Sequence, residues 1–480
     1  MKKYKNKLIL LLAVALSFSA CNTVDFGDTN VDPSEPGTGN ASTALILTDV
    51  QRSVSNILAD PNPVLYVQYL SKSDYPEATQ YSVFNFSPKF DYITNLDRII
   101  KLNQDAATKV AAQANGSNAN QIAVAKLLKG YFYFIMTDRW GMLPFSEANK
   151  GLEIPFPKYD TQQEIYNGVF ELIDQALGSM TATDGPTGDI LFGGDMATWA
   201  KFGNTLKMIM GLRLAKADPA TGKEKFLEAY TKGISSVSEN LKYTYLLDDS
   251  NDNPWQDRFE TRADYLMSNT FVNKLIGSGT STLPQDPRLP KMAQLSSSGS
   301  EYAGAIYGKA NPHIENYSFI TSDIIDKGDA PLMIFTYAEV CFARAEAGNG
   351  GLKWTTEDTA TWYNNGIQAS MDQWGVDATD AAAYIALKPY ADISDIAYER
   401  WVSQFLQGYN SWAEWRRAKA MNTESKIALA PPSFMYDDTT DIPQRQAYST
   451  DARPLNQANY DAAIAEQGKD NLNTILWINK

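Results

Sequence analysis

Apolar residues recur at spacings of three and four along most of the chain, a pattern that predicts α-helices. One stripe covers residues 124–135, and the next helix is expected to begin at Thr161, whose hydroxyl and the Glu164 carboxylate fit a capping box. Strand signals are sparse, with residues 81–86 the best candidate. The pattern therefore predicts a mostly α protein. Further stripes predict helices over residues 165–176, 199–210, 334–347 and 363–374, and a longest helix from about residue 394 to residue 412.

Short loops separate many of the predicted helices, which indicates stacked helix pairs of the kind found in tetratricopeptide repeats. No repeat of about 34 residues is visible, so this prediction rests on helix pairing alone. Two stretches interrupt the helical pattern, residues 247–328 and residues 430–459. Because long irregular segments of compact proteins are commonly functional, we expect ligand contacts there.

Aromatic residues are abundant, with 10 Trp, 26 Tyr and 20 Phe. Most lie on the helical stripes and are interpreted as core, but others occur in irregular stretches beside Asn, Asp and Gln. A sugar ring has an apolar face that stacks on an aromatic ring and a rim of hydroxyls for polar neighbours. The alternative is that these rings only anchor long loops to the core. The residues predicted to contact a ligand are Tyr75, Tyr81, Phe84, Trp255, Tyr302, Tyr307 and Tyr317.

The N-terminus predicts secretion and lipid attachment. Residues 1–20 contain four lysines, then a short apolar run, then small residues ahead of Cys21, as in a signal peptide. The run is shorter than the ~20 residues of a membrane-spanning helix. Because residues 18–21 resemble a bacterial lipobox, Cys21 is the predicted lipid attachment site; an ordinary secretory signal is the alternative. Residues 21–40 are predicted to form a flexible acidic tether, and residues 41–480 a single domain.

Composition excludes several function classes. The 42 Lys and Arg against 56 Asp and Glu give a net charge of −14, which argues against a nucleic-acid partner. A single histidine, His313, and two cysteines leave no ligand set for a zinc site and no disulfide framework. His313 is expected at the surface or at a ligand's edge, and Cys341 is expected to be a small buried side chain within a helix.

Motifs for cofactors and catalysis are mostly missing. Nucleotide-binding, dinucleotide-binding and nucleophile-elbow patterns do not occur, so no cofactor and no catalytic residue are predicted. Residues 248–253 alternate oxygen ligands as a calcium loop does, but they lack the glycine and distal glutamate of an EF-hand. A solvated turn is favoured there, and structural calcium is left open. Glycoside hydrolysis also stays open, since it needs only two suitably spaced carboxylates.

Several blocks of sequence occur in a specific order: DTNVDP from Asp28, DRWGMLPFSEA from Asp138, DPRLPKMA from Asp286, PLMIFTYAEVCFARAEAG from Pro331, QFLQGYNSWAEWRRA from Gln404 and PQRQAYSTDARPLNQANYDAA from Pro443. Their order and spacing resemble the SusD/RagB outer-membrane lipoproteins of Bacteroidetes, specifically the SusD-like branch. The departures are small. Met142 and Leu143 stand where an acidic and a β-branched residue are expected, and Trp477 stands alone where a Trp pair is usual.

The resemblance implies a helical protein of tetratricopeptide-like pairs whose long loops form the ligand face. It implies a lipid-anchored protein of the outer membrane, facing the cell exterior, that contacts the membrane through its anchor only. Such a protein binds nutrient oligosaccharides and passes them, without catalysis, to a SusC-like TonB-dependent β-barrel transporter. A peptide-binding RagB-type member is the first alternative. A surface glycoside hydrolase is the second, from a different functional class.

Overall fold

A computed structural model describes residues 42–79, 87–277, 285–429 and 441–480. These residues are mostly helical, as the apolar spacing predicts. The signal peptide, Cys21 and the tether lie outside the described residues, as do Tyr81, Phe84 and the predicted strand at residues 81–86. Among the described residues, no helix combines the length and the apolar character needed to cross a bilayer.

Consecutive helices pack as pairs in the first half of the chain. Helix α5 packs against α6, and α7 packs against α8, while α3 lies between α1 and α5. The predicted capping box is confirmed, because the Thr161 hydroxyl accepts from the Glu164 backbone N–H and the Glu164 carboxylate accepts from the Thr161 backbone N–H. The helices are α1 (Thr43–Leu58), α2 (Pro61–Tyr66), α3 (Ser87–Gln104), α4 (Lys109–Ala112), α5 (Asn118–Trp140), α6 (Gln162–Ser179), α7 (Met196–Arg213) and α8 (Pro219–Ala229).

The middle of the chain holds short helices and two small antiparallel sheets. Strand β1 pairs with β3 so that Lys72 lies opposite Tyr265, and β2 pairs with β4 so that Tyr243 lies opposite Leu332. Each sheet thus joins segments that are far apart in sequence. The elements are β1 (Leu70–Lys72), β2 (Leu241–Tyr243), α9 (Pro254–Glu260), β3 (Tyr265–Met267), α10 (Asn269–Ile276), α11 (Leu289–Met292), α12 (Ser322–Ile325) and β4 (Leu332–Phe335).

Paired helices return after β4. Helix α13 packs against α14 and α16, and α16 packs against α17. This pairing agrees with the predicted stacking of helix hairpins. The remaining helices are α13 (Tyr337–Ala347), α14 (Thr359–Gln373), α15 (Ala378–Leu387), α16 (Ile393–Ser403), α17 (Gly408–Ala420), α18 (Ala452–Leu455) and α19 (Gln457–Gln467).

Two predicted helices differ from the structure. Residues 334 and 335 belong to β4, and α13 begins only at Tyr337, where the Thr336 side chain caps its N-terminus. The predicted helix over 394–412 is two helices, α16 and α17, and Leu406 in the turn between them has a left-handed backbone (φ 66°) that a continuous helix does not contain. At Gly408 a Cβ atom would lie 2.8 Å from the Val64 backbone nitrogen, so glycine permits α17 to pack closely on α2.

Most buried apolar side chains form one core that runs from α1 to the C-terminal residues, and a smaller one lies between α13 and α14. Cys341 is fully buried, as predicted, and burial raises the pKa of its thiol to about 12. A buried ion-pair network, defined here as Arg213, Glu346, Arg400, Glu414 and Arg417, ties α7, α13, α16 and α17 together.

Glu339 lies beside this network and is expected to make stability depend on pH. Burial, reinforced by Glu414, raises the pKa of its carboxyl to about 7, although Arg213 and Arg400 act in the opposite direction. One carboxyl oxygen accepts from Gln404 at 3.2 Å, and the other has no hydrogen-bond partner among the described residues. A pKa raised by folding means that the folded state binds the proton more tightly, so stability falls as pH rises from about 4.5 through 7.

We therefore expect the free energy of unfolding of Glu339→Gln, measured relative to wild type, to rise by roughly 2 to 3 kcal/mol from pH 5 to pH 8. Urea unfolding of both proteins at the two pH values measures this change. The matched control is Glu466→Gln, since Glu466 is exposed on α19. An equal difference between wild type and Glu339→Gln at both pH values would contradict the prediction.

Candidate ligand-binding face

Three distant segments meet around β1 and β3 and form what we call the loop face, residues 72–76, 262–269 and 302–318. The Met267 backbone N–H donates to the Ser318 carbonyl at 2.9 Å, and the Met267 carbonyl accepts from the Ala305 N–H at 2.8 Å. The Ser318 N–H in turn donates to the Ala303 carbonyl at 2.7 Å. Backbone hydrogen bonds therefore hold the segments of Tyr302, Tyr307 and Tyr317 against the β1–β3 sheet.

Asn311 fastens the 302–318 segment to β1. It is buried, and its amide nitrogen donates to the carbonyls of Lys72, Ile306 and Lys309 at 2.9, 3.0 and 2.7 Å. Its amide oxygen accepts from the Ile306 N–H at 3.0 Å, and its backbone N–H donates to the Ser73 carbonyl at 2.5 Å. One side chain thus satisfies several backbone groups that a long loop otherwise leaves unpaired.

We expect Asn311→Ala to lower the free energy of unfolding of the loop face by about 1 to 3 kcal/mol, because it removes a buried amide that pairs with the carbonyls of Lys72, Ile306 and Lys309. Hydrogen exchange at residues 303–311 would show faster amide exchange in the variant. Asn316→Ala in the same loop is the control, since Asn316 is exposed. Unchanged exchange in Asn311→Ala would contradict this role.

The predicted residues Tyr75, Tyr302 and Tyr317 lie on the hydrogen-bonded segments that form the loop face. The Tyr75 ring is 57% exposed on a left-handed backbone (φ 57°), and it follows Ser73, which Asn311 holds. Tyr302 and Tyr317 are half-buried, and burial raises the pKa of Tyr302. These three rings have surface available to a ligand. No residue here is shown to contact one, so their ligand contacts stay predictions.

Tyr307 and Trp255 are corrected to buried residues. Tyr307 is only 7% exposed, and Trp255 is 0% exposed within the main core, because α9 turns its indole inward. The Trp255 ring meets the Tyr265 ring edge-on at 5.6 Å, and the Arg258 guanidinium lies 4.8 Å from its centroid. Neither buried ring offers an open face for stacking, so Trp255 supports the loop face from beneath.

Charged and aromatic residues that the sequence interpretation missed complete the loop face. Lys72 Nζ lies 4.1 Å from the Tyr265 ring centroid and 3.6 Å from Asp264, which also pairs with Arg262 at 3.0 Å. Burial lowers the pKa of Lys72, and Asp264 acts in the opposite direction. The sequence signal was the cluster Arg262, Asp264 and Tyr265, which lies in the irregular stretch already expected to carry function.

His313 is exposed in the same loop, and its Nδ1 lies 3.4 Å from Glu315.

At the candidate calcium turn, the Asp248 carboxylate accepts from the Ser250 N–H at 2.9 Å and the Asn251 amide oxygen accepts from the Tyr243 hydroxyl at 2.8 Å. Hydrogen bonds within the protein already use these two oxygens. In the described part of the chain, no group of three or more His, Cys, Asp or Glu is placed to hold a metal ion. Structural calcium, which the sequence leaves open beside the favoured solvated turn, stays untested.

Comparisons with known proteins fit this fold. No curated protein sequence matches the chain significantly. Among solved structures, one of a chitin-binding protein is 22% identical, with a TM-score of 0.78 over 91% of this chain and 100% of that one. A SusD homologue from Bacteroides fragilis is 18% identical, with a TM-score of 0.78 over 92% and 100% of the two chains. A chitin-binding SusD homologue from Flavobacterium johnsoniae is 19% identical, with a TM-score of 0.72 over 91% and 98%.

The family comparison covers most of the chain. Residues 37–449 match the SusD-like family model described as "Starch-binding associating with outer membrane". The mostly helical architecture and the solved structures agree with that match. The chain therefore belongs to the SusD-like family of nutrient-glycan-binding, non-catalytic proteins associated with the outer membrane.

Proposed function

We propose that this chain is a lipid-anchored surface protein that captures a nutrient oligosaccharide on its loop face and passes it to a SusC-like TonB-dependent β-barrel transporter. The observation that carries the proposal is that hydrogen bonds join the segments of Tyr75, Tyr302 and Tyr317 while each ring stays at least partly exposed. Aromatic rings beside charged and amide side chains suit the apolar faces and hydroxyl rims of sugars. Because SusD-like proteins are not enzymes, the glycoside hydrolase alternative is wrong.

The anchor and the orientation are part of this proposal. Cys21 follows a signal-like segment, and residues 22–40 are polar and acidic, which suits an extended tether between a lipid and the domain that begins near Ser42. An anionic tether is repelled by anionic head groups, so it holds the domain away from the membrane. Metabolic labelling with an alkyne fatty acid tests the anchor. Wild type is labelled and Cys21→Ser is not, and equal labelling of the two would contradict the assignment.

The transporter partnership has its own test. A tagged full chain, solubilised with outer membranes in mild detergent, is expected to recover a large β-barrel transporter. The control is an outer-membrane lipoprotein with the same signal peptide, tether and tag on an unrelated domain. Failure to recover a barrel, or equal recovery with the control, would contradict the partnership.

Ligand capture is tested by calorimetry on the purified full chain. The probes are maltoheptaose and N-acetylchitohexaose, because the family description names starch and two similar structures are named for chitin. We expect Tyr75→Ala and Tyr302→Ala each to weaken binding of the recognised probe roughly three- to tenfold, the value of one stacking ring. Both are expected to fold, since neither ring is fully buried.

Phe156→Ala is the matched control, since Phe156 is an exposed aromatic residue on a different loop. It is expected to bind the probe with wild-type affinity. Unchanged affinity in both tyrosine variants would contradict the loop face as the capture site. A peptide library that binds at Tyr75 and Tyr302 while both glycans fail would support the RagB-type alternative.

A further inference from the structure

A second concave site lies outside the loop face. It is a cleft of about 320 Å³ between the start of β4, the end of α14 and the turn that joins α16 to α17. This volume is in the ~300–1,000 Å³ range of small-molecule sites. No loop-face residue belongs to its described lining. Among its lining residues, Trp374 and Met333 are partly exposed, whereas Phe405 and Gln407 are buried.

Two side chains along this cleft, Gln407 and Trp374, have polar atoms without a hydrogen-bond partner among the described residues. The Gln407 side chain is 7% exposed, and neither its amide nitrogen nor its amide oxygen has a hydrogen-bond partner among the described residues. The Trp374 indole N–H also has no acceptor in this part of the chain. A buried amide without partners costs free energy, which is recovered when a ligand pairs with it. Rotation of the Gln407 side chain toward the cleft that it lines would permit this pairing.

These groups define the chemistry of a ligand. A side-chain amide with both atoms unpaired is matched by another amide, which offers a carbonyl and an N–H side by side. The indole N–H supplies one more donor for that carbonyl, and Phe405 and Leu332 supply an apolar wall for a methyl group. The charged residues in the described lining are Lys291 and Asp323, one of each sign, so the cleft suits a neutral ligand.

We propose that this cleft is a second glycan site, which holds a neutral sugar through its acetamido group. An acetamido group offers an amide to pair with Gln407 and a methyl to pack against Phe405 and Leu332. The Trp374 ring, which lies 5.9 Å from the Phe405 ring, then contacts the sugar ring. The ligand class of this inference, a glycan, rests on the proposed function. The location of the cleft does not depend on it.

The test is calorimetry on the full chain with N-acetylchitotriose, with cellotriose as the matched sugar that has hydroxyls in place of acetamido groups. We expect cellotriose to bind at least tenfold more weakly. Gln407→Leu and Trp374→Ala are each expected to weaken binding of N-acetylchitotriose roughly tenfold. Because the Gln407 amide makes no hydrogen bond to the described residues, Gln407→Leu leaves no partner unpaired, and its unfolding midpoint is expected to match that of wild type.

The loop-face variant Tyr75→Ala separates the two sites. Binding that weakens in Gln407→Leu but not in Tyr75→Ala supports the cleft, and it does so even if the loop face fails its own test with maltoheptaose. Equal affinity for the two trisaccharides, unchanged affinity in both cleft variants, or no binding of N-acetylchitotriose at millimolar concentration would overturn the inference. Displacement of the sugar by trialanine would also overturn it and would indicate a peptide site.

Discussion

Glu414→Ala is expected to lower the free energy of unfolding by about 3 to 5 kcal/mol, because it removes a carboxylate that pairs with three buried arginines. Glu414 lies 2.7 Å from Arg213, 2.7 Å from Arg400 and 2.6 Å from Arg417. Burial acts to raise the pKa of Glu414, but Arg417, Arg213 and Arg400 outweigh it and hold the pKa far below its usual range. The carboxylate is therefore ionised at neutral pH and joins three helices.

Urea unfolding followed by circular dichroism measures this loss. Glu466→Ala is the control, since Glu466 is exposed and its removal is expected to change stability by less than about 0.5 kcal/mol. Glu414→Gln keeps the shape without the charge and is expected to lie between wild type and Glu414→Ala. If Glu414→Ala unfolded at the same urea concentration as Glu466→Ala, the network would not be a determinant of stability.

Trp255→Ala is the second large effect, with an expected loss of about 3 to 5 kcal/mol. Its indole is fully buried and packs on Tyr265, so its removal leaves a cavity beneath the loop face. The sequence predicts that Trp255 contacts the ligand. In that case the Trp255→Ala variant keeps its stability and loses affinity for the ligand. The structure reverses that expectation, and any loss of affinity follows from displacement of Tyr265.

Thermal unfolding of Trp255→Ala beside Tyr75→Ala distinguishes these interpretations. The exposed Tyr75 is expected to contribute little to stability, so only the Trp255 variant unfolds at a clearly lower temperature. Trp255→Phe is expected to recover part of the loss, because it fills much of the space and removes an indole N–H that has no acceptor among the described residues. Wild-type stability in Trp255→Ala would restore Trp255 as a candidate ligand contact.

Both the Glu414 and the Trp255 predictions concern the scaffold that carries the loop face. The buried ion-pair network fixes α7, α13, α16 and α17 relative to one another, and Asn311 and Trp255 fix the loop face on the β1–β3 sheet. A capture site gains affinity when its rings are held in place before the ligand arrives. We therefore expect the loop face to depend on residues that never touch a sugar.

Local rules in the sequence were sufficient for several of the long helices. Apolar spacing located α5, α6 and α7, and the Thr161–Glu164 capping box marked the start of α6. These signals are readable because helix formation depends on residues within a few positions of each other. The ordered sequence blocks likewise indicated the SusD-like family before any contact was known.

Tertiary contacts decided the rest. Glu414 and Arg417 occupy positions on α17 that look solvent-facing in sequence, and only the approach of Arg213 and Glu346 from other helices makes their burial possible. The break at Leu406 likewise depends on a left-handed backbone residue, for which the helical spacing gave no signal.

The same limit applies to the candidate ligand residues. Sequence by itself determined that aromatic residues are abundant in the irregular stretches. The residue type and its sequence neighbours do not distinguish a buried ring from an exposed one. The fold decided that Tyr75 is open to solvent and Trp255 is not, because exposure depends on which distant segments cover a side chain. Local patterns thus determined several long helices and the family, and long-range packing determined which of the candidate rings are open to solvent.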